Sequence, residues 1–407
     1  MRISTEQLYN RSIQSVLDNQ GTLSDIQTQL ASGKKLLRPS DDPVGTSQLL
    51  RLTEEISLLE QYNKNNNLLT NSLEQEETVL SSINTSVNKA RVLMIESGNG
   101  IISADDRQAI AIEMEQIRDH IFDLMNSRNP AGEYIFAGFQ SASPAFSYNA
   151  SATGNKYNFE GDQGEMEIKV SDTVTLQANN SGRDVFEDVF SRFKADITGS
   201  VGATSSKLTI QGQTAFDKFH TANYDAVNAT NNDFRVTVLS ATQAQVTNVG
   251  TGAIIDTVDF SSGDGFLFNG LEIEITGTTG DTVDFQLEPP AKKNIAETLN
   301  DFVNALYNKD ISDSNFDEAL SDAVIGVDNS LTAMGNAISA IGGRRNVADS
   351  VRSSNMDLEI ANKTSRSNIE EVDYAEAVSE LSRQETALQA AQATFSLVTG
   401  TTLFDYI

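Results

Sequence analysis

The chain has 407 residues and a formal net charge of -28, from 57 acidic against 29 basic side chains. So acidic a surface repels the phosphates of nucleic acid and of anionic membranes, and neither is expected as a partner. With no cysteine and no tryptophan, disulfide frameworks and thiolate chemistry are excluded as well. The length suggests two or three domains. No run of about 18 apolar residues exists, so no membrane-spanning helix is expected. The opening Met1-Arg2-Ile3-Ser4-Thr5-Glu6 lacks an apolar stretch and a cleavage site, so export, if it occurs, is expected without a cleaved signal peptide.

In chain order, residues 1–42 read as an N-terminal helix and loop. Tyr9, Val16, Leu23 and Leu30 recur every seven residues, with Ile13 and Ile26 beside them. That period is a coiled-coil seam. Next comes Arg38-Pro39-Ser40-Asp41-Asp42-Pro43, where Ser40, Asp41 or Asp42 is placed to accept free N–H groups of a following helix and Pro43 suits its first turn.

No proline lies between 44 and 129. Leu52, Leu59, Leu73, Leu80, Val87 and Met94 hold one register, broken by Asn66; Tyr62, Leu69, Ile83 and Ala90 hold the position three later, broken by Glu76. A helix over 49–94 is expected, about 70 Å long at ~1.5 Å per residue, with a polar pair inside its seam that specifies register. Gly98 and Gly100 end it, and a second helix starts at Asp105 and Asp106, with Ile110, Met114, Ile117, Ile121 and Leu124 inward.

From about 131 to 290 the composition changes, and most of the 26 glycines lie there. Glu165–Val170 and Leu271–Ile275 alternate polar and apolar residues, the period of a half-buried strand. A short helix near 184–195 is expected to interrupt the strands, with Val185, Phe186, Val189, Phe190 and Phe193 on one face. Helix returns at about 291–308 and 317–372. The last segment repeats Tyr374, Leu381, Leu388 and Phe395 at sevens, with Ala377, Ala391 and Val398 three later. After Glu385 only Asp405 is charged, which leaves apolar surface for a partner.

The expected fold class is α+β and multidomain. A long antiparallel helical bundle or coiled coil is drawn from both chain ends, with a β-rich hairpin region and an inserted β domain. The expected domains are 1–42, packing with 374–407; a helical core of 43–195 and 291–373; an inserted outer domain of 196–290; and a C-terminal helix of 374–407. The inner stripes are expected to close on each other. The outer ones pair with little else in the chain and are expected to pack against neighbours, through Tyr9, Ile13, Val16, Leu23, Leu30, Tyr374, Leu381, Leu388, Phe395 and Val398.

Catalytic chemistry has few candidates. His120 and His220 are the only histidines; His120 reads as structural or exposed and His220 as a surface residue. No histidine pair has metal spacing, and no nucleophile or phosphate-binding motif appears. Asp162, in Glu160-Gly161-Asp162-Gln163-Gly164, reads as a β-turn rather than a cation loop. No enzyme activity, cofactor or metal is expected.

Specific strings carry a family resemblance. Gln29-Leu30-Ala31-Ser32-Gly33-Lys34-Lys35 followed by Arg38-Pro39-Ser40-Asp41-Asp42-Pro43 resembles the N-terminal signature of the bacterial flagellar hook-associated protein 3 family, within the flagellin-like superfamily. Asn129 through Gly138, Ser143-Pro144-Ala145-Phe146 and Ser181 through Phe186 are similar to its hairpin region. Asp373-Tyr374-Ala375-Glu376 and Leu403-Phe404-Asp405-Tyr406-Ile407 are similar to its C-terminal signature. The resemblance implies an extracellular structural subunit at the hook–filament junction, exported through the flagellar type III channel. It implies as partners hook-associated protein 1, flagellin, other copies of itself in a ring and a cytosolic export chaperone. It also singles out the motif loop of Ser32, Gly33, Arg38, Pro39, Ser40, Asp41, Asp42 and Pro43. Flagellin itself, or a secreted adhesin-like binding protein, are the alternatives.

Overall fold

The computed structural model describes residues 5–99 and 102–400. It divides into two compact units. The terminal unit comprises Met1–Leu69, Ile168–Leu176 and Asn346–Ile407; the central unit comprises Thr70–Glu167 and Gln177–Arg345. The helices are α1 (Thr5–Ser32), α2 (Pro43–Ser97), α3 (Ala104–Met125), α4 (Gln213–Asn223), α5 (Ile295–Tyr307), α6 (Asp313–Glu370) and α7 (Tyr374–Gly400). Four short strands form two hairpins: β1 (Phe146–Tyr148) with β2 (Tyr157–Phe159), and β3 (Glu167–Lys169) with β4 (Thr175–Gln177). The remaining strands are β5 (Ala195–Val201), β6 (Ser205–Ile210), β7 (Asp233–Ser240), β8 (Gln243–Asn248), β9 (Ile254–Asp259), β10 (Gly265–Phe268), β11 (Leu271–Thr276) and β12 (Thr282–Leu287). The α+β class read from the sequence is the class observed.

Asp42 starts α2. Its Oδ1 accepts from the backbone N–H groups of Val44 at 3.1 Å and Gly45 at 2.9 Å, and Pro43, which has no N–H to lose, opens the helix. Along α2, seven residues after the buried Leu59, the buried positions alternate three and four apart through Asn66, Leu69, Leu73, Glu76, Leu80, Ile83, Val87, Ala90 and Met94. Each fully buried leucine, isoleucine or valine contributes about 1.5–3 kcal/mol. The facing stripe on α6 is Val327, Met334, Ile341 and Ala348, again at sevens.

Within each unit the partners show that α2 and α6 are antiparallel. In the terminal unit Lys363 pairs with Glu60 at 3.4 Å, and the Asn66 amide donates to the Ala348 carbonyl at 2.7 Å. In the central unit Arg345 pairs with Glu74 at 2.8 Å and Arg91 with Asp328 at 2.6 Å. Asn66 and Glu76 both lie in the seam, fully or almost fully buried.

In the central unit α3 begins with a capping box: Ser103 accepts from the Asp106 N–H at 3.2 Å, and Asp106 accepts from the Ser103 N–H at 3.3 Å. It packs on α5, which Asn294 caps. The buried Glu297 of α5 accepts from the backbone of Lys156 and Tyr157 at 2.6 and 2.9 Å, which ties the β1–β2 hairpin to the helix.

The helix expected at 184–195 is not there. Arg183–Glu187 form one π-helical turn, and β5 already starts at Ala195. Packing overrides the periodicity: Phe186 is held edge-on by Phe136 and Phe146 at 5.0 and 5.9 Å, and Phe190 makes a bridge to Lys292. The apolar residues are thus drawn in different directions rather than along one helical face.

Strands β5–β12 and α4 form an inserted β-rich body with its own core. One sheet has the order β5-β12-β7-β8-β9 and the other β10-β11-β6. Phe216 and Phe219 of α4 join Phe234, Phe268, Ile273 and Phe285 in that core. β11 buries alternate residues, Leu271, Ile273 and Ile275. At the hairpin before it, Asn269 and Gly270 take φ of 46° and 86°, as a tight I′ turn requires. The chain enters by β5 and leaves by β12, its antiparallel neighbour, with Ala195 opposite Leu287.

His220 is a correction to its expected surface position. It is buried, with its ring stacked 4.4 Å from Phe193 and 5.2 Å from Tyr224, and its Nε2 donates to the Glu288 carbonyl at 2.8 Å. Burial lowers its pKa, so the ring is held neutral. His120 is exposed.

Candidate assembly site

The candidate site lies wholly in the terminal unit, where α1 and α7 pack together. Their direction follows from two contacts. Tyr9 meets Phe395 with ring centroids 5.4 Å apart, while at the other end the Val372 N–H donates to the Gly33 carbonyl at 3.0 Å. The helices are therefore antiparallel. Ile26 and Ala377, near the loop end of the pair, are buried. Ile13, Val16, Leu23 and Leu30 of α1 and Leu381, Leu388 and Phe395 of α7 are half-buried.

The two end stripes face each other. Single-helix periodicity shows that a stripe exists but not what covers it. Tyr9 and Tyr374 remain exposed, as do Leu17, Val378 and Leu397, which the heptad count does not reach. Val398 lies in α7, but its side chain is outside the described residues, as are residues 401–407 with the Leu403–Ile407 signature.

The motif loop closes the open end of the pair. Gly33 adopts a φ of 70°, and a Cβ there would stand 3.0 Å from the Tyr374 hydroxyl. Ser32 Oγ accepts from the Lys34 N–H at 3.3 Å. The Lys35 N–H donates to the Glu370 carbonyl at 2.7 Å, and the Lys34 ammonium meets the Glu370 carboxylate at 2.5 Å. Beyond Pro39, Asp41 accepts from the Arg38 N–H at 2.9 Å and returns its own N–H to the Arg38 carbonyl at 3.0 Å. Ser40 donates to Asp41 at 3.5 Å, and Asp42 caps α2. The start of α7 is capped in the same way, by Asp373 accepting from Ala375 and Glu376 at 2.8 and 3.2 Å. Asp41, Asp42 and Asp373 thus shape backbone.

An open groove of about 370 Å³ beside this loop carries Glu371, Asp373, Glu376 and Glu380 against the single cation Lys35. Among the described residues no group of three or more His, Cys, Asp or Glu is placed to hold a metal ion, and no helix is long and apolar enough to cross a membrane. Asp162 Oδ1 accepts from the backbone N–H groups of Phe139 and Gly164 at 2.7 and 2.8 Å.

Residues 3–141 match the bacterial flagellin N-terminal helical region. The flagellar hook-associated protein 3 of Salmonella typhimurium is 30% identical over 200 residues, covering 49% of this chain and 61% of that protein. Its Escherichia coli counterpart is 27% identical over 205 residues, covering 50% and 63%. The matched part of the chain thus spans about three fifths of the length of these relatives. The flagellar junction protein FlgL from Legionella pneumophila superposes with a TM-score of 0.56 at 20% identity, over 79% of this chain and all of that one. By sequence and by fold, the chain resembles the flagellar hook-associated protein 3 group of the flagellin-like superfamily.

Proposed function

We propose that the chain is a structural subunit of the bacterial flagellum at the junction between hook and filament, without enzyme activity. The observation that carries this reading is the α1–α7 pair: its central residues are half-buried, and Leu17, Tyr374, Val378 and Leu397 are left on its outside. Apolar residues left exposed along a coiled coil are surface for further helices. Tyr9, Ile13, Val16, Leu23, Leu30, Tyr374, Leu381, Leu388, Phe395 and Val398 then form or support the assembly interface. Its partners are hook-associated protein 1 on one side, flagellin on the other and further copies of the chain around a ring, after release from an export chaperone and passage through the type III channel. The similarity to hook-associated proteins 3 supports this reading over the flagellin alternative. Deleting the gene should leave hooks in place while flagellin escapes into the medium. Normal filaments in the deletion strain would overturn the proposal. Immunolabel along the whole filament, in thousands of copies, would instead identify a flagellin.

A further inference from the structure

Glu76 sits in the α2 seam of the central unit with 2% of its surface exposed, and Asn179 lies against it at 6%. Two of the four side-chain polar atoms of this pair have protein partners. Glu76 Oε1 accepts from the Asn180 backbone N–H at 3.2 Å and from its amide at 2.7 Å. Asn179 Oδ1 accepts from the Met166 N–H at 2.7 Å. On the α6 side the Arg344 guanidinium donates to Asn180 Oδ1 at 2.5 Å. The second carboxyl oxygen, Glu76 Oε2, and the second amide atom, Asn179 Nδ2, are buried without a protein hydrogen bond. A buried polar atom left so costs about 1–3 kcal/mol.

Both side chains line the same pocket, a space of about 40 Å³ walled also by Ser72, Asn129 and Ser141. A water molecule needs only about 10–15 Å³ measured this way, with two to four polar partners. From the pairing of these two orphaned atoms in one pocket we infer a structural water site: one ordered water bridges Glu76 Oε2 and Asn179 Nδ2 and completes the polar layer between α2, residues 177–180 and α6.

Water suits this position better than a fixed side chain because it can reverse its role. Burial pushes Glu76 up to about 7, against the bonds from Asn180 and the Arg344 charge. The other ionisable groups on the pocket wall are Glu133 and Tyr134. With Glu76 protonated, the water accepts from Oε2–H and from Nδ2–H. With Glu76 ionised, it donates to Oε2 and still accepts from Nδ2–H. One site therefore serves both charge states without moving a helix.

High-resolution crystallography of the full chain, with side-chain amide-to-water cross-relaxation of Asn179 in solution, tests the site. A single well-defined density peak within hydrogen-bond distance of Oε2 and Nδ2, with a long-lived water signal at the Asn179 amide, is expected. E76Q should retain both, and E76L should lose both. A direct Glu76–Asn179 hydrogen bond, or a pocket with no ordered density and only bulk-water exchange at Asn179, would overturn the inference.

Discussion

Tyr9 and Phe395 come from opposite ends of the chain, yet their rings meet with centroids 5.4 Å apart and planes tilted by 43°. The contact places the first turns of α1 beside the last turns of α7. An aromatic pair of this kind is worth about 0.5–1.5 kcal/mol beyond the area it buries. F395A should therefore speed amide hydrogen exchange in α1 and α7 together, by roughly 2–10-fold, and leave residues 80–97 unchanged. Faster exchange in α7 alone would show that the helices are not coupled.

The motif loop is expected to be sensitive at single atoms. D42A removes the acceptor for Val44 and Gly45 and should cost about 0.5–2 kcal/mol in the local unfolding of the α2 start. G33A forces an L side chain into a left-handed conformation and against the Tyr374 hydroxyl, and should cost about 1 kcal/mol or more. Thermal melts and hydrogen exchange of residues 29–46 measure both. If D42N restores what D42A loses, the role is capping rather than charge.

Glu76 makes stability depend on pH in a known direction. Burial raises its pKa from 4.5 to about 7, so the folded state holds the proton more tightly than the unfolded chain. Its favourable effect is complete below pH 4.5 and is lost as pH rises through about 7. At ~1.4 kcal/mol per factor of ten, the full loss is about 3 kcal/mol. E76Q should match the parent at pH 4 and unfold at higher denaturant concentration at pH 8. Equal gains at both pH values would point to packing as the cause.

The inserted body can be removed without stretching the chain, because Ala195 and Leu287 are paired neighbours on β5 and β12. Its core draws on its own strands and α4. Replacing residues 196–286 by a short Gly/Ser link should leave the helical melting transition of α2 and α6 within a few degrees of the parent and preserve incorporation into flagella. Loss of incorporation from a well-folded deletion would mean that the insert itself carries an interface, as in an adhesin.

Much of this protein is set by local chemistry that a sequence displays. Seven-residue spacing from Leu59 to Met94 dictates a helix with one apolar seam, and Asp42 with Pro43 dictates where that helix begins, since the acceptor and the missing N–H are adjacent to it. The alternation of Leu271, Ile273 and Ile275 likewise dictates a strand with one buried face. The signature strings around Ser32–Pro43 carry the family resemblance. Tertiary structure decided what local spacing leaves open, namely which surface covers which. The Phe186 ring fits between Phe136 and Phe146, so residues 188–194 leave the helical path. His220 is buried because Tyr224, four positions on at the end of the same helix, and Phe193, 27 positions earlier and outside it, both stack on its ring. The stripes of α1 and α7 cover each other because the Gly33–Val372 contact turns both ends of the chain back together. Burial also moves the Glu76 proton equilibrium: desolvation depends on every neighbour brought in from α2, residues 177–180 and α6, and no stretch of sequence contains that sum.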